Sequence, residues 1–258
     1  MRIEPRIKTL ILIAATVSLL GSSAYGIDCK PFAGSEKAFY YSATSFSIPI
    51  LKASIKIENG TSEQGRPVYQ IRASIYSLDY LKFLFRINNR FLSTVEAGTL
   101  APLQYVKEIH QAGLLTKNKN YLQTLTFDHS NKKLIVENRR EGERKEIPLS
   151  TETYDPLSIF AKHYLKNELH PGQDIQMSIF DGMKLRRMVF VSRKEKVKAK
   201  ICGEVEAVCL ESSTSFSSFG DREGKIRICY ANQGEKIPIL IELGLPVGDI
   251  KFELETVE

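Results

Sequence analysis

Four histidines, four cysteines and a run of alternating lysines are the residues from which chemistry could be built. His110, His129, His163 and His170 are scattered. No two of them have the i,i+4 spacing that sets a pair of imidazoles on one helix face for a metal ion. His163 and His170 are seven apart, but the second falls at a helix end, so the four read as exposed or locally hydrogen-bonded side chains. Ser158 and Ser178 lack the G-x-S-x-G turn that lifts a nucleophile out of a sheet. There is no GxGxxG fingerprint and no phosphate loop. The carboxylates are many but fall into no acid/base pair. No catalytic residue, metal ligand or cofactor-binding residue is therefore assigned, and no cofactor is expected.

The cysteines are Cys29, Cys202, Cys209 and Cys229, with no CxxC among them. Four cysteines allow three connectivities, and in an oxidising compartment disulfides are the expected state. Cys202-Gly203 sits where a tight turn is expected, so Cys209 lies well along the returning strand. At about 3.3 Å per residue the two are roughly 20 Å apart, beyond the ~7 Å Cα reach of a disulfide. Cys209 and Cys229 lie on successive strands, which usually pair. They form the preferred bridge, leaving Cys29 with Cys202.

Arg186-Arg187 and then Lys194, Lys196, Lys198 and Lys200 form a basic strip. On a strand the four lysines share one face, opposite Glu195, Val197, Ala199 and Ile201. Such a face is solvated, or protects an edge against aggregation. The alternative use is contact with anionic headgroups or an acidic partner.

The compartment is read from the first residues. Arg2, Arg6 and Lys8 precede an apolar run from Leu10 to Leu20, and small residues follow. Ala24-Tyr25-Gly26 offers the small-x-small pattern of a signal-peptidase site, so residues 1–26 are expected to be a cleaved signal peptide. The run is shorter than the ~20 residues that span a bilayer. Asp28 before Cys29 argues against lipidation. The expected product is periplasmic or secreted and does not span a membrane. Cleavage leaves 33 Lys+Arg against 29 Asp+Glu, a net charge of +4. That modest balance does not indicate a nucleic-acid partner.

Positioning falls to short strands. Alternation runs through most of the chain: in 52–58, Ala53, Ile55 and Ile57 face one way and Lys52, Ser54, Lys56 and Glu58 the other. Asn59-Gly60, Asn88-Asn89 and Asp181-Gly182 read as turns between such segments. Separate strands are expected at 84–88 and 91–96, and again at 185–192 and 195–201. One segment breaks the pattern. Asp155 can cap free first-turn amides, Pro156 suits the first helical position, and Leu157, Phe160, Ala161, Tyr164 and Leu165 recur at helical spacing. This predicts an amphipathic helix from Pro156 to about Leu169, packed by Leu157, Phe160, Tyr164 and Leu165. The fold class is mainly β: an antiparallel curled sheet, half-barrel or barrel-like, with one principal helix. Residues 27–258 form one β-rich domain, or two β lobes flanking the helix at 156–169.

The segments FYYSATSFSIPILKASIKIE, YDPLSIFAKHYL, PGQ, FDGMK and IPILIELGLPVGDIKFEL follow one another in an order that resembles the bacterial domain of unknown function 3108 family of exported proteins. The resemblance spans about Glu36 to Leu254. Its most specific block is Tyr154, Asp155, Pro156 and Leu157, followed by Ser158. It implies an exported β-rich fold and a structural role for that block, and it adds no catalytic residue. The function expected is a non-catalytic binding or carrier module for a hydrophobic ligand or lipid. An envelope assembly protein docking on another protein is the alternative, and a hydrolase the third reading.

Overall fold

The computed structural model describes residues 36–258 apart from 115–117, 140, 150–151, 166–168, 217–221, 234 and 247. Residues 1–26, expected to be a signal peptide, and Cys29 lie outside the described residues.

The alternation resolves into fifteen strands and one α-helix. The first eight strands are β1 (Glu36–Ser45), β2 (Ile48–Thr61), β3 (Pro67–Ser77), β4 (Arg86–Glu96), β5 (Pro102–Ala112), β6 (Lys119–Asp128), β7 (Lys133–Asn138) and β8 (Glu143–Pro148). Then come β9 (Thr153–Tyr154), α1 (Pro156–Leu165), β10 (Asp174–Phe180), β11 (Leu185–Ala199), β12 (Gly203–Phe216), β13 (Arg222–Gln233), β14 (Glu235–Leu245) and β15 (Gly248–Val257). They make one sheet in the order β8-β7-β6-β5-β4-β3-β2-β1-β15-β14-β13-β12-β11-β10-β9. Every pairing is antiparallel except the short one between β9 and β10. The first and last strands, β1 and β15, meet in the middle of the sheet, where Ala38 and Glu258 exchange backbone hydrogen bonds. The sheet curls but does not close, with β8 and β9 at its edges.

Register explains which face is buried. Tyr41 stands opposite Ala53 on β2 and Leu254 on β15, and Ala43 opposite Leu51 and Phe252. All six are buried. On the same face another row runs from Ile57 on β2 outward through Ile71, Ser93, Tyr105 and Leu125, which are buried cross-strand partners in turn. The concave face so formed is filled by α1. The helix touches β3 and β4 on one side and β14 on the other, so the two halves of the sheet fold toward each other across it. Phe160 and Tyr164 meet Phe39 edge-on, at 6.4 and 5.3 Å between ring centroids.

Enclosure on several sides corrects the expected helix. It is not amphipathic with a single core face: Ser158, Ile159, Phe160, Ala161, His163 and Tyr164 are buried, and Leu157 and Leu165 only partly so. It runs to Leu165, and Leu169 lies beyond it as irregular chain packed on the core. Among the described residues no helix is long and apolar enough to cross a membrane.

Three turn expectations are also corrected. Asn59-Gly60 belongs to β2, and the reversal comes at Ser62–Arg66, closed by the Ser62 and Arg66 backbone groups. Asn88-Asn89 lies inside β4, which replaces the two expected strands there. Asn89 is buried and its side-chain oxygen accepts the His110 amide hydrogen, substituting for a ladder bond. Segments 185–192 and 195–201 join in one long strand, β11, so Lys200 falls in the turn after it.

Candidate functional site

The block Tyr154–Leu157 lies where the sheet edge meets the helix. Asp155 is fully buried and its Oδ1 accepts the Leu157 and Ser158 amide hydrogens at 2.8 and 2.9 Å. Its Oδ2 accepts the Ser93 hydroxyl hydrogen at 2.7 Å, and its own amide donates to Ser158 Oγ. Asp155 therefore caps α1 and ties it to β4. Burial raises its carboxyl above the ordinary range, with the bonds from Ser158, Ser93 and Leu157 acting in the opposite direction. A carboxylate whose acceptors are occupied by its own helix and by Ser93 is a structural group.

His163 departs from the expected exposed histidine. It is buried against Phe190, its Nε2 has no hydrogen-bond partner among the described residues, and burial first, then Lys162 and Lys236, lowers its pKa to about 4. His129 and His170 are exposed, and His110 is partly buried and bonded to Glu108 at 2.9 Å. The structure does not bring the four histidines into a cluster, and among the described residues no group of side chains is arranged to hold a metal ion.

Cys209 and Cys229 are directly opposite each other on β12 and β13 and form a disulfide, with Cα atoms 4.0 Å apart. Both are buried. Cys202, in the β11–β12 turn, is also disulfide-bonded. Cys29, expected as its partner, lies outside the described residues.

Lys194, Lys196 and Lys198 share the exposed side of β11. Lys194 pairs with Glu206 at 2.7 Å, Lys196 with Glu204 at 3.7 Å, and Lys200 with Glu255. The strip is a ladder of cross-strand ion pairs, so its charge is largely matched within the protein.

Two cavities lie elsewhere. One, of about 360 Å³, sits beside β9 and is lined by Thr99, Ala101, Pro102, His129, Glu152, Thr153, Tyr154 and Lys162. There the Lys162 amine donates to the Tyr154 hydroxyl and lies 4.2 Å from its ring centroid.

The other is a groove of about 400 Å³ across β2 to β6. Side chains along a strand alternate between faces, so its lining residues other than Ala73 and Phe91 lie on the face turned away from α1. It follows two rows of cross-strand partners. The first is Ser54, Ser74, Arg90, Glu108 and Leu122. The second is Lys56, Arg72, Leu92 and Val106, continued by Thr124. Leu92, Val106 and Leu122 give an apolar stretch on β4 to β6 and Lys56, Arg72 and Arg90 a cationic one on β2 to β4, with Glu108 standing opposite both Arg90 and Leu122. The Ser54 and Ser74 hydroxyls bond to each other at 2.8 Å, and Arg72 is anchored by Glu58 at 2.9 Å. Thr124 is buried and its hydroxyl has no hydrogen-bond partner among the described residues. Sequence reasoning missed this groove. The available signal was apolar residues at the outward-facing parity of β4 to β6, where a solvated face would carry polar ones.

An open antiparallel sheet wrapped on a helix defines a half-barrel class of fold. Residues 39–255 match the family described as protein of unknown function (DUF3108), and the chain belongs to that family. No curated protein matches the sequence. Among solved structures it is similar to a beta-barrel-like protein of domain of unknown function DUF1849 from Brucella abortus, with a TM-score of 0.54 and 10% identity over 86% of this chain and 97% of that one. At that identity the likeness concerns the fold alone.

Proposed function

We propose that this chain is an exported, non-catalytic binding or carrier module for an amphiphile with an anionic head, held in the groove across β2 to β6. The observation that carries the reading is the division of that groove into an apolar stretch, Leu92, Val106 and Leu122, and a cationic one, Lys56, Arg72 and Arg90. Its volume of about 400 Å³ falls in the range of small-ligand sites. Binding without conversion is supported by the hydroxyls present: Ser54 and Ser74 bond each other rather than a base. Export is supported by the leader features of residues 1–26 and by the Cys209–Cys229 disulfide, which suits an oxidising compartment.

Titration with a fluorescent medium-chain fatty acid tests this. Saturable one-to-one binding, competed by the unlabelled acid, is the expected result. Leu92→Glu and Arg90→Glu should each weaken it at least about tenfold, a loss of about 1.4 kcal/mol or more. No binding by the parent protein, or equal binding by both variants, removes the groove as the site.

A further inference from the structure

We infer that one end of the curled sheet is a docking surface for an anionic lipid bilayer. Antiparallel connections alternate between the two ends of a sheet, and here the ends differ in kind. The β1–β2, β3–β4 and β5–β6 turns share one end with the polar β7–β8 turn, while the β10–β11 turn is held against Lys107 and Gln123 in the middle of β5 and β6. Among the described residues nine large apolar or aromatic side chains are exposed, and six of them, Phe46, Ile48, Tyr76, Tyr80, Phe83 and Leu114, lie in the β1–β2, β3–β4 and β5–β6 turns or within two residues of them. Phe46 is 82% exposed, Phe83 75% and Leu114 71%. The opposite end is polar: its turns carry Ser62–Arg66 and His129–Lys132, and its apolar turn residues, Leu100 and Ile201, are buried.

The exposed residues form a connected surface. The Tyr80 hydroxyl donates to the Pro49 carbonyl, joining the β3–β4 turn to the start of β2. Gly113, with φ of +137°, lies so close to the Leu84–Phe85 backbone that a Cβ would stand 2.6 Å from the Leu84 oxygen. That joins the β5–β6 turn to the β3–β4 turn. Gly248 packs on the Phe46 ring in the same way, placing the β14–β15 turn against the β1–β2 turn. A continuous exposed apolar surface of this kind marks an interaction site rather than scattered surface hydrophobes.

Charge selects the occupant. Lys82, Arg86 and Lys119 border these turns, against the carboxylates Asp79 and Asp249. Asp79 already has a cation, Lys82 at 2.6 Å. An excess of positive charge therefore collars apolar tips. Aromatic and aliphatic tips that enter the interface, below cations at headgroup level, are the pattern of a membrane-surface contact. Separate turn tips suit a fluid surface that conforms to them, whereas a folded partner would have to present a matching cleft to each.

This surface lies at the turns and is distinct from the groove, and it does not rest on the groove's ligand. The test is co-flotation of the exported protein with vesicles of phosphatidylglycerol and phosphatidylcholine in about equal parts, in low salt. The protein should float with these vesicles, bind phosphatidylcholine alone more weakly, and lose binding as salt rises. A Phe46→Ser, Phe83→Ser, Leu114→Ser variant should lose at least about tenfold in vesicle affinity with an unchanged melting curve. Lys82→Glu with Arg86→Glu should remove the preference for phosphatidylglycerol. Leu92→Glu, in the groove, should leave vesicle binding intact. Failure of the parent protein to bind would overturn the assignment, as would equal binding by the triple variant. Loss of binding in the Leu92→Glu variant alone would move the membrane contact to the groove. A dimer in solution that the triple variant dissolves would assign this end to a second copy of the chain instead.

Discussion

Phe160 and Phe83 are the same residue in opposite situations. Phe160 is 3% exposed on α1, in contact with the rings of Phe39, Tyr164 and Tyr230. Phe83 is 75% exposed in the β3–β4 turn. The difference separates two uses of aromatic surface in one chain. Around the helix, rings are removed from water by both halves of the sheet and supply folding energy. At the turn end, rings are held out by connections that are themselves pinned by Tyr80 and Gly113. Composition alone cannot tell these uses apart. Topology can, because it puts one set inside the curl and the other at a single end of it.

The largest expected effect breaks or upholds that comparison directly. Phe160→Ala should cost about 3–5 kcal/mol of unfolding free energy in urea, from lost burial and the cavity left behind. Phe83→Ala should change stability by no more than about 0.5 kcal/mol. Equal losses at the two sites would mean that the turn end is part of the core.

Next in size is the disulfide. Cys209 and Cys229 are 20 residues apart in sequence, and a bridge closing a loop of that length stabilises by about 3 kcal/mol through the unfolded chain. Replacing both by Ala should lower stability by roughly 2–4 kcal/mol while vesicle flotation through the turns is retained. If flotation is lost and stability is not, the bridge positions the docking end rather than the core.

The fold was legible wherever one local rule dominated. Alternation in 52–58 marks β2, and Asp155-Pro156 marks the helix start, because pleat and cap act within a few residues. What was not legible depended on long-range packing. Asn88-Asn89 carries a turn signature, yet Asn89 enters β4 because its amide oxygen replaces a ladder bond to His110. His163 looked like a polar position on a one-sided helix, and is buried because a second sheet half covers it. The groove was hidden for a related reason. Leu92, Val106 and Leu122 are distant in sequence and become neighbours only once β4, β5 and β6 are in register. The apolar turn tips were individually visible, but their common end follows only from the strand order.

His163 gives a pH test confined to the interior. Its ring stays neutral in the folded chain down to about pH 4, against an ordinary value of 6.5. Well above pH 6.5 the site is neutral in both states and contributes nothing to the slope. As pH falls below 6.5 the unfolded chain takes up a proton that the folded chain refuses. Stability should therefore fall by up to about 1.4 kcal/mol per pH unit until the folded ring titrates. Asp155 acts with the opposite sign nearer its ordinary value of 3.8, since its raised carboxyl favours the folded state as protons are added. The comparison must accordingly be with His163→Leu, which should show a flatter profile between pH 6.5 and 4. Identical profiles would show that the imidazole reaches water.

The smallest effect sharpens the comparison on the side of charge. Lys194 and Lys196 are as cationic as Lys82 and Arg86, but they stand away from the linked turns, opposite Glu206 and Glu204 on β12. Exposed pairs of this kind contribute about 0–1 kcal/mol each. Lys194→Gln with Lys196→Gln should therefore shift stability by less than about 1 kcal/mol. It should leave flotation on phosphatidylglycerol vesicles unaltered, because the lysines lie toward the polar end of β11, away from the turns that carry the apolar tips. The change also leaves Glu204 and Glu206 without partners, so any effect on an anionic surface would tend toward weaker attraction. A marked loss of flotation here would show that the membrane reads net charge over the whole molecule. In that case the apolar tips would be passengers, and the distinction between the two ends of the sheet would not be functional. Unaltered flotation, beside the lost phosphatidylglycerol preference of Lys82→Glu with Arg86→Glu, would show that what matters is where the cations stand relative to the exposed rings.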